Sequence, residues 1–189
     1  MTNAFQGEGG LLSAALVPTF ASMFLHGGWM HVIGNMWFLW IFGDNVEAKL
    51  GHVKFLLFYL ACGLAAGAGQ YAMEPNSAVP MVGASGAIAG VLGAYIITWP
   101  KARVLTLLPL VYIITFIELP AFIVLGMWFV VQLLRGVGDL SGIRSVGVAY
   151  WAHVGGFVAG ILLMLVLPKR EIELHRSSMP RRGAQRQPW

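Results

Sequence analysis

The sequence predicts an all-α fold: a polytopic membrane helical bundle with about five transmembrane helices. Three observations predict it. First, 58% of the 189 residues are hydrophobic and 11% are charged. Soluble domains carry roughly 25% charged residues, so this chain has too few to cover a water-facing surface. Second, five apolar stretches approach the roughly 20 residues that a helix needs to cross a bilayer. Third, the basic residues divide ten to two between alternate loops, which is the bias expected of a multi-span topology.

The predicted spans run over residues 29–46, 53–71, 85–99, 120–134 and 148–167. Residues 11–25 are apolar but short and interrupted by Pro18, so they are expected to form an interfacial loop or a half-embedded hairpin. Residues 104–117 contain Pro109 and precede Pro120. They are expected to lie on the surface or to begin a long, broken fourth span, with Glu118 near an interface. With the N-terminus outside, the outer segments 1–28, 72–84 and 135–147 hold only Arg135 and Arg144. The inner segments hold Lys49, Lys54, Lys101, Arg103 and the six basic residues after Pro168. The resulting organisation is an outer loop with a membrane-lying segment (1–28), a transmembrane core (29–167) and a flexible, basic cytoplasmic tail (168–189).

Several function classes are excluded. Half of the twelve Lys and Arg residues sit in the tail, so the net charge of +4 reads as a topology signal or a lipid contact, not a nucleic-acid surface. The single Cys62 permits no intrachain disulfide or Cys-based metal site. Residues 1–10 are polar and Gly-rich, and no signal peptide is expected there.

Polar groups inside spans are costly and mark functional candidates. The sequence offers His31 and Asn35 in the first span, Ser85 in the third and His153 in the fifth. These three spans run in the same direction, so all four groups share the outer leaflet. The third span covers only about 21 Å at 1.5 Å per residue, against a hydrocarbon core of about 30 Å. With its inner end held near Lys101 and Arg103, Ser85 is recessed. Residues 76–84 must then dip into protein or line a water-filled cavity. Gly86 and Gly90 on the third span, and Gly156 and Gly160 on the fifth, are small-residue steps that permit close helix approach. If those faces meet, His153 reaches Ser85 and can serve as the base that a serine nucleophile needs. Asp44, Glu47, Glu74 and Asp139 are all badly placed to orient His153, which predicts a Ser–His dyad and not a triad. The Ser85 backbone N–H at a helix N-terminus, the Asn35 amide and the His31 imidazole are the candidate oxyanion hole.

At this point four segments resemble a known family. His26 to Asn35, reading HGGWMHVIGN, resembles the second-helix signature of rhomboid intramembrane serine proteases. Gly83-Ala84-Ser85-Gly86 resembles their GxSG motif, and Ala152 to Gly160 their AHxxGxxxG motif. Gly43 to Gly51 resembles their GxxxExxxG segment, with Glu47 as its acid. The likeness spans roughly residues 20–167. It implies a rhomboid-like bundle with Ser85 as nucleophile, His153 as general base, and His31 and Asn35 stabilising the oxyanion. It also implies substrates that are single-pass membrane proteins, cut in or beside their transmembrane segment, with no metal and no cofactor. The implied location is a bacterial inner (plasma) membrane, multi-pass, with a cytoplasmic C-terminus. The family core has six helices, the first of which would precede the loop at Leu11, so the resemblance implies a core here without that helix.

Plainer readings stand beside these. Ser85 is a possible helix N-cap, and His153 a buried hydrogen-bonding histidine or, with His31, a haem ligand. Asn35 is a possible interhelical glue residue. His26 and Glu47 are expected to be structural, as are Gly83, Gly86, Gly156 and Gly160. Trp29, Trp99 and Trp151 read as interfacial anchors, and His52 and His175 as solvated surface groups. At the level of function, the alternatives are a truncated or inactive relative that binds membrane proteins without cleaving them, and a transporter or channel. The sequence lacks the inverted repeats and mid-membrane charges that a transporter more often carries.

Overall fold

A computed structural model describes residues 17–75, 82–110, 113–141 and 148–168. The predicted polar N-terminus, residues 76–81 of the loop before Ser85, Arg144, and the basic tail beyond Pro168 with His175 lie outside the described residues. A helical segment over 17–22 stands where the interfacial loop was expected. Helix α1 is Trp29–Phe38. It passes through a single π-helical turn, Leu39–Gly43, into α2, Asp44–Leu50. Gly51, at φ 83°, turns the chain into α3, His52–Met73. Helix α4 is Ser85–Thr98, α5 is Ala121–Leu140 and α6 is Tyr150–Val166.

The stretch expected to be surface-lying, or part of the fourth span, is instead a β-hairpin. Strand β1, Arg103–Leu110, pairs antiparallel with β2, Ile113–Pro120, from Arg103 opposite Pro120 to Leu110 opposite Ile113. The cause is local. Val104, Thr106, Thr115, Phe116 and Ile117 are β-branched or aromatic residues that fit a pleated surface. A two-stranded ribbon has only edge strands, which is where Pro109 is tolerated. Glu118 pairs with Arg103 at 3.0 Å on the exposed side of the ribbon. Helix α5 therefore starts abruptly after Pro120. Its first N–H groups donate to the chain that leaves α4: Ala121 to Ala102 O at 2.8 Å and Phe122 to Pro100 O at 3.0 Å.

Contacts fix the helix directions. Gly86 and Gly90 of α4 meet Gly156 and Gly160 of α6 in the same order, so these helices run parallel. Ala66 and Cys62 of α3 meet Gly86 and Gly90 in reverse order, so α3 is antiparallel to both. Helix α5 is antiparallel to α6, because Gly136 faces Trp151 while Phe129 stacks on Phe157. Helix α4 is buried continuously from Gly86 to Tyr95, as befits a helix that is apolar on every face. The other helices surround it and turn large apolar residues outward, including Trp29, Met127, Leu134 and Leu165. In a membrane bundle, such faces meet lipid.

The small residues decide how closely this bundle closes. A Cβ on Gly160 would run into the Gly90 carbonyl, and one on Gly156 into the Gly86 carbonyl. A Cβ on Gly93 would strike the Phe157 carbonyl. These are backbone-to-backbone contacts, which a flexible side chain cannot relieve. Gly69 and Gly155 make the matching approach between α3 and α6. By contrast, Gly126 in α5 has no atom within 4 Å of a Cβ position. Gly160→Leu is therefore expected to lose at least about 2 kcal/mol of stability, as overpacking of a closed core does. Gly126→Ala should hold or gain up to about 1 kcal/mol from helix propensity. Thermal unfolding of both variants in one detergent checks this, and equal melting temperatures would contradict it.

Candidate active site

The parallel contact between α4 and α6 places the first residue of one helix beside the first turn of the other. Ser85 Oγ lies 2.8 Å from His153 Nε2. Ser85 does not cap its helix. The N-cap position is Ala84, which makes no side-chain cap bond, so the serine hydroxyl is left for the histidine. The first N–H groups of α4 have no carbonyl one turn earlier to bond, and they leave a partial positive charge beside Ser85.

Two polar residues from α1 face the same space. Asn35 is the one buried residue of α1, and its Nδ2 has no hydrogen-bond partner among the described residues. Orphaned buried donors are rare and call for an explanation. His31 Nδ1 accepts the Gly27 N–H at 3.5 Å, a contact that in a neutral imidazole goes with the proton on Nε2. The His26 ring meets His31 edge-on, with centroids 5.3 Å apart. Its buried Nε2 is likewise unpartnered among the described residues.

Gly83 sits between these groups and the serine. It adopts φ 114°, a left-handed conformation that strains any residue with a side chain. A Cβ there would also press on the His31 ring, at 2.6 Å from Cε1. The Gly83 N–H donates to Ser22 O at 2.8 Å. Ser22 in turn is followed by Met23, which is buried against Gly63 of α3. The short 17–22 segment thus fixes the turn that leads into Ser85.

The site opens into a cavity of about 450 Å³ lined by His31, Asn35, Gly83, Ser85, Trp128 and His153, among others. All the groups read from the sequence as candidate nucleophile, base and oxyanion donors therefore line one space. Glu47 lies elsewhere. Its carboxylate bonds His52 Nδ1 at 2.5 Å across the Gly51 turn, and His52 remains exposed.

Two neighbours of the site were missed by sequence reasoning. Gln132 of α5 is buried, and its Oε1 lies 2.8 Å from His153 Nδ1. Gln70 of α3 accepts the Ala152 N–H at 3.2 Å and donates to Glu74 at 2.8 Å, which ties the start of α6 to the end of α3. The signal was available: both are polar residues inside predicted spans. A search for an acid beside His153 passes over amides. The indole of Trp128, one turn before Gln132, lies 5.8 Å from the His153 ring and tilted by 38°.

A rhomboid domain model matches residues 13–170. The chain belongs to the rhomboid family. The family includes intramembrane serine proteases. The chain is 30% identical over 157 residues to rhomboid-like protein 11, chloroplastic, of Arabidopsis thaliana, covering 77% of this chain and 50% of that protein. It is 34% identical over 141 residues to the rhomboid protease GluP of Bacillus subtilis, covering 75% of this chain and 25% of that protein. It is 30% identical over 148 residues to presenilin-associated rhomboid-like protein A, mitochondrial, of Danio rerio, covering 77% and 36% respectively. This rhomboid chain spans half or less of the length of these relatives. Their names place them in a chloroplast, a bacterium and a mitochondrion, so membership establishes a membrane protein and leaves the kind of membrane open.

Gly83→Ala combines backbone strain with a steric clash at His31. It is expected to cost about 1–3 kcal/mol of stability. Thermal unfolding reads this, and melting like the parent would contradict the assigned conformation.

Proposed function

We propose that this rhomboid chain is an intramembrane serine endopeptidase that hydrolyses peptide bonds in or near the transmembrane segments of single-pass membrane proteins. The observation that carries the reading is the 2.8 Å approach of Ser85 Oγ to His153 Nε2 at the wall of a cavity also lined by Asn35, whose Nδ2 has no partner among the described residues.

In this reading His153 Nε2 takes the Ser85 proton as Oγ bonds to the scissile carbonyl carbon. The carbonyl oxygen becomes an oxyanion. The Asn35 Nδ2, the His31 Nε2–H and the Ser85 backbone N–H donate to it, which gives the orphaned Asn35 donor a partner only during reaction. His153 then gives its proton to the leaving amine as the C–N bond breaks. Water, deprotonated by His153, attacks the acyl-serine and releases the second product, returning the proton to Ser85. No acid takes part, so the pair works as a dyad, and no metal or cofactor enters.

The same reading assigns residues 1–28 to an outer loop, 29–167 to the membrane core and 168–189 to a basic cytoplasmic tail. It places the protein in a bacterial inner membrane. The ten-to-two division of basic residues supports that orientation.

Purified protein incubated with a single-span substrate tests the reading. Cleavage is expected to vanish in Ser85→Ala and His153→Ala. In Asn35→Ala, kcat should fall about 10²- to 10³-fold, as when one oxyanion donor is lost. Cleavage that persists in Ser85→Ala would overturn the assignment. A parent chain that binds the substrate without cutting it would favour a non-catalytic relative.

A further inference from the structure

We propose that Gln132 is a positioning residue that holds His153 in the one tautomer able to accept a proton from Ser85. The inference rests on the hydrolase reading for its kinetic consequence, but its structural content stands apart from it. A neutral imidazole carries one proton, on Nδ1 or on Nε2. With the proton on Nε2, the ring would point a donor at Ser85 Oγ and could not act as its base. With the proton on Nδ1, the Nε2 lone pair faces the serine. Which form prevails depends on what Nδ1 meets.

Here Nδ1 meets Gln132 Oε1 at 2.8 Å. An amide oxygen only accepts, so this contact selects Nδ1–H. Burying a primary amide in an apolar span is costly without such a partner. Gln132 is 8% exposed and lies in a helix rich in Val and Leu. The rest of the frame holds the ring in place. Trp128 and Gln132, one turn apart on α5, face His153 and Phe157, one turn apart on α6. The Trp128 ring lies 5.8 Å from His153 and 6.2 Å from Phe157. Rotation of the imidazole about its bond to Cβ would lose both the Gln132 and the Ser85 contacts.

The same carbonyl serves when His153 is protonated on both nitrogens during acylation. Its dipole then points its negative end at Nδ1–H. A neutral amide thus takes the orienting position where a triad has a carboxylate, and none of the chain's acidic residues is required.

Three chains test this in one bicelle preparation: the parent, Gln132→Met and Gln132→Glu. Met has nearly the volume of Gln but accepts no comparable bond. Glu keeps an oxygen at the same reach. In Gln132→Met, kcat is expected to fall about 10- to 100-fold, less than the roughly 10⁴-fold loss that follows the wrong tautomer in a full triad. KM should stay within about twofold, because Gln132 is placed on the histidine and not on substrate. Gln132→Glu should keep kcat within about threefold of the parent, since the acceptor is retained. Nitrogen-15 NMR of histidine-labelled protein reads the tautomer directly: Nδ1–H in the parent, and loss of that preference in Gln132→Met. A parent-like kcat in Gln132→Met, a Gln132→Glu variant as slow as Gln132→Met, or an unchanged tautomer in Gln132→Met would each overturn the proposal. Absence of Ser85-dependent cleavage in the parent would instead defeat the hydrolase reading, and the NMR comparison would still decide the role of Gln132.

Discussion

The backbone contact between α4 and α6 at Gly86, Gly90, Gly156 and Gly160 sets the distance on which the site depends. At these positions the carbonyl of one helix occupies the space that a side chain on the other would need. Within a bilayer, apolar side chains gain little by leaving lipid for one another, so close packing of small residues is what holds helices together. Here the packing also has a register. Gly86 opposite Gly156 puts Ser85 and His153 on the same level, with Oγ 2.8 Å from Nε2. Helix α3 enforces the arrangement from behind, with Cys62 and Ala66 against the α4 glycines and Gly69 against Gly155.

From that contact the polar chemistry collects at one end of the bundle. Ser85 opens α4 and His153 lies in the first turn of α6, while Gln70 and Gln132 lie in the second halves of antiparallel neighbours, so all four arrive at a common level. Each amide satisfies a group that the closed packing would otherwise strand: Gln70 the Ala152 N–H, and Gln132 the far nitrogen of His153. Asn35 is the exception: it lines the cavity, and its buried Nδ2 has no partner among the described residues. A protein that keeps such a donor gives up stability, and in the proposed reaction the oxyanion would be its partner.

Most of the helical fold was legible in the sequence because lipid imposes one rule, an apolar run of sufficient length, on each span. Residues 53–71 and 85–99 became α3 and α4 to within two residues at each end. The π-helical turn at Leu39–Gly43 was not legible, since a run such as LWIFG carries no signal that separates it from α-helix. The hairpin was missed for a related reason. Its strands are apolar on both faces, so the alternation that marks a half-buried strand is absent, and length and composition alone resemble part of a span. At the site, Ser85, His153, His31 and Asn35 stood out as polar groups in apolar stretches. Gln132 and Gln70 met the same criterion. They were overlooked because the expected partner of a catalytic histidine is an acid, whereas a span tolerates a neutral amide far better than a carboxylate.

In the proposed function, helix packing, and not the serine and histidine alone, makes Ser85 reactive. Labelling by a fluorophosphonate, followed by mass spectrometry of the modified residue, reads this most directly in the parent, Gly160→Ala, Gly160→Leu and His153→Ala. The parent should be labelled at Ser85. The rate should fall stepwise as the side chain at 160 grows, and labelling should disappear without His153. A Gly160→Leu chain labelled at the parental rate, or a parent left unlabelled at Ser85, would contradict the account.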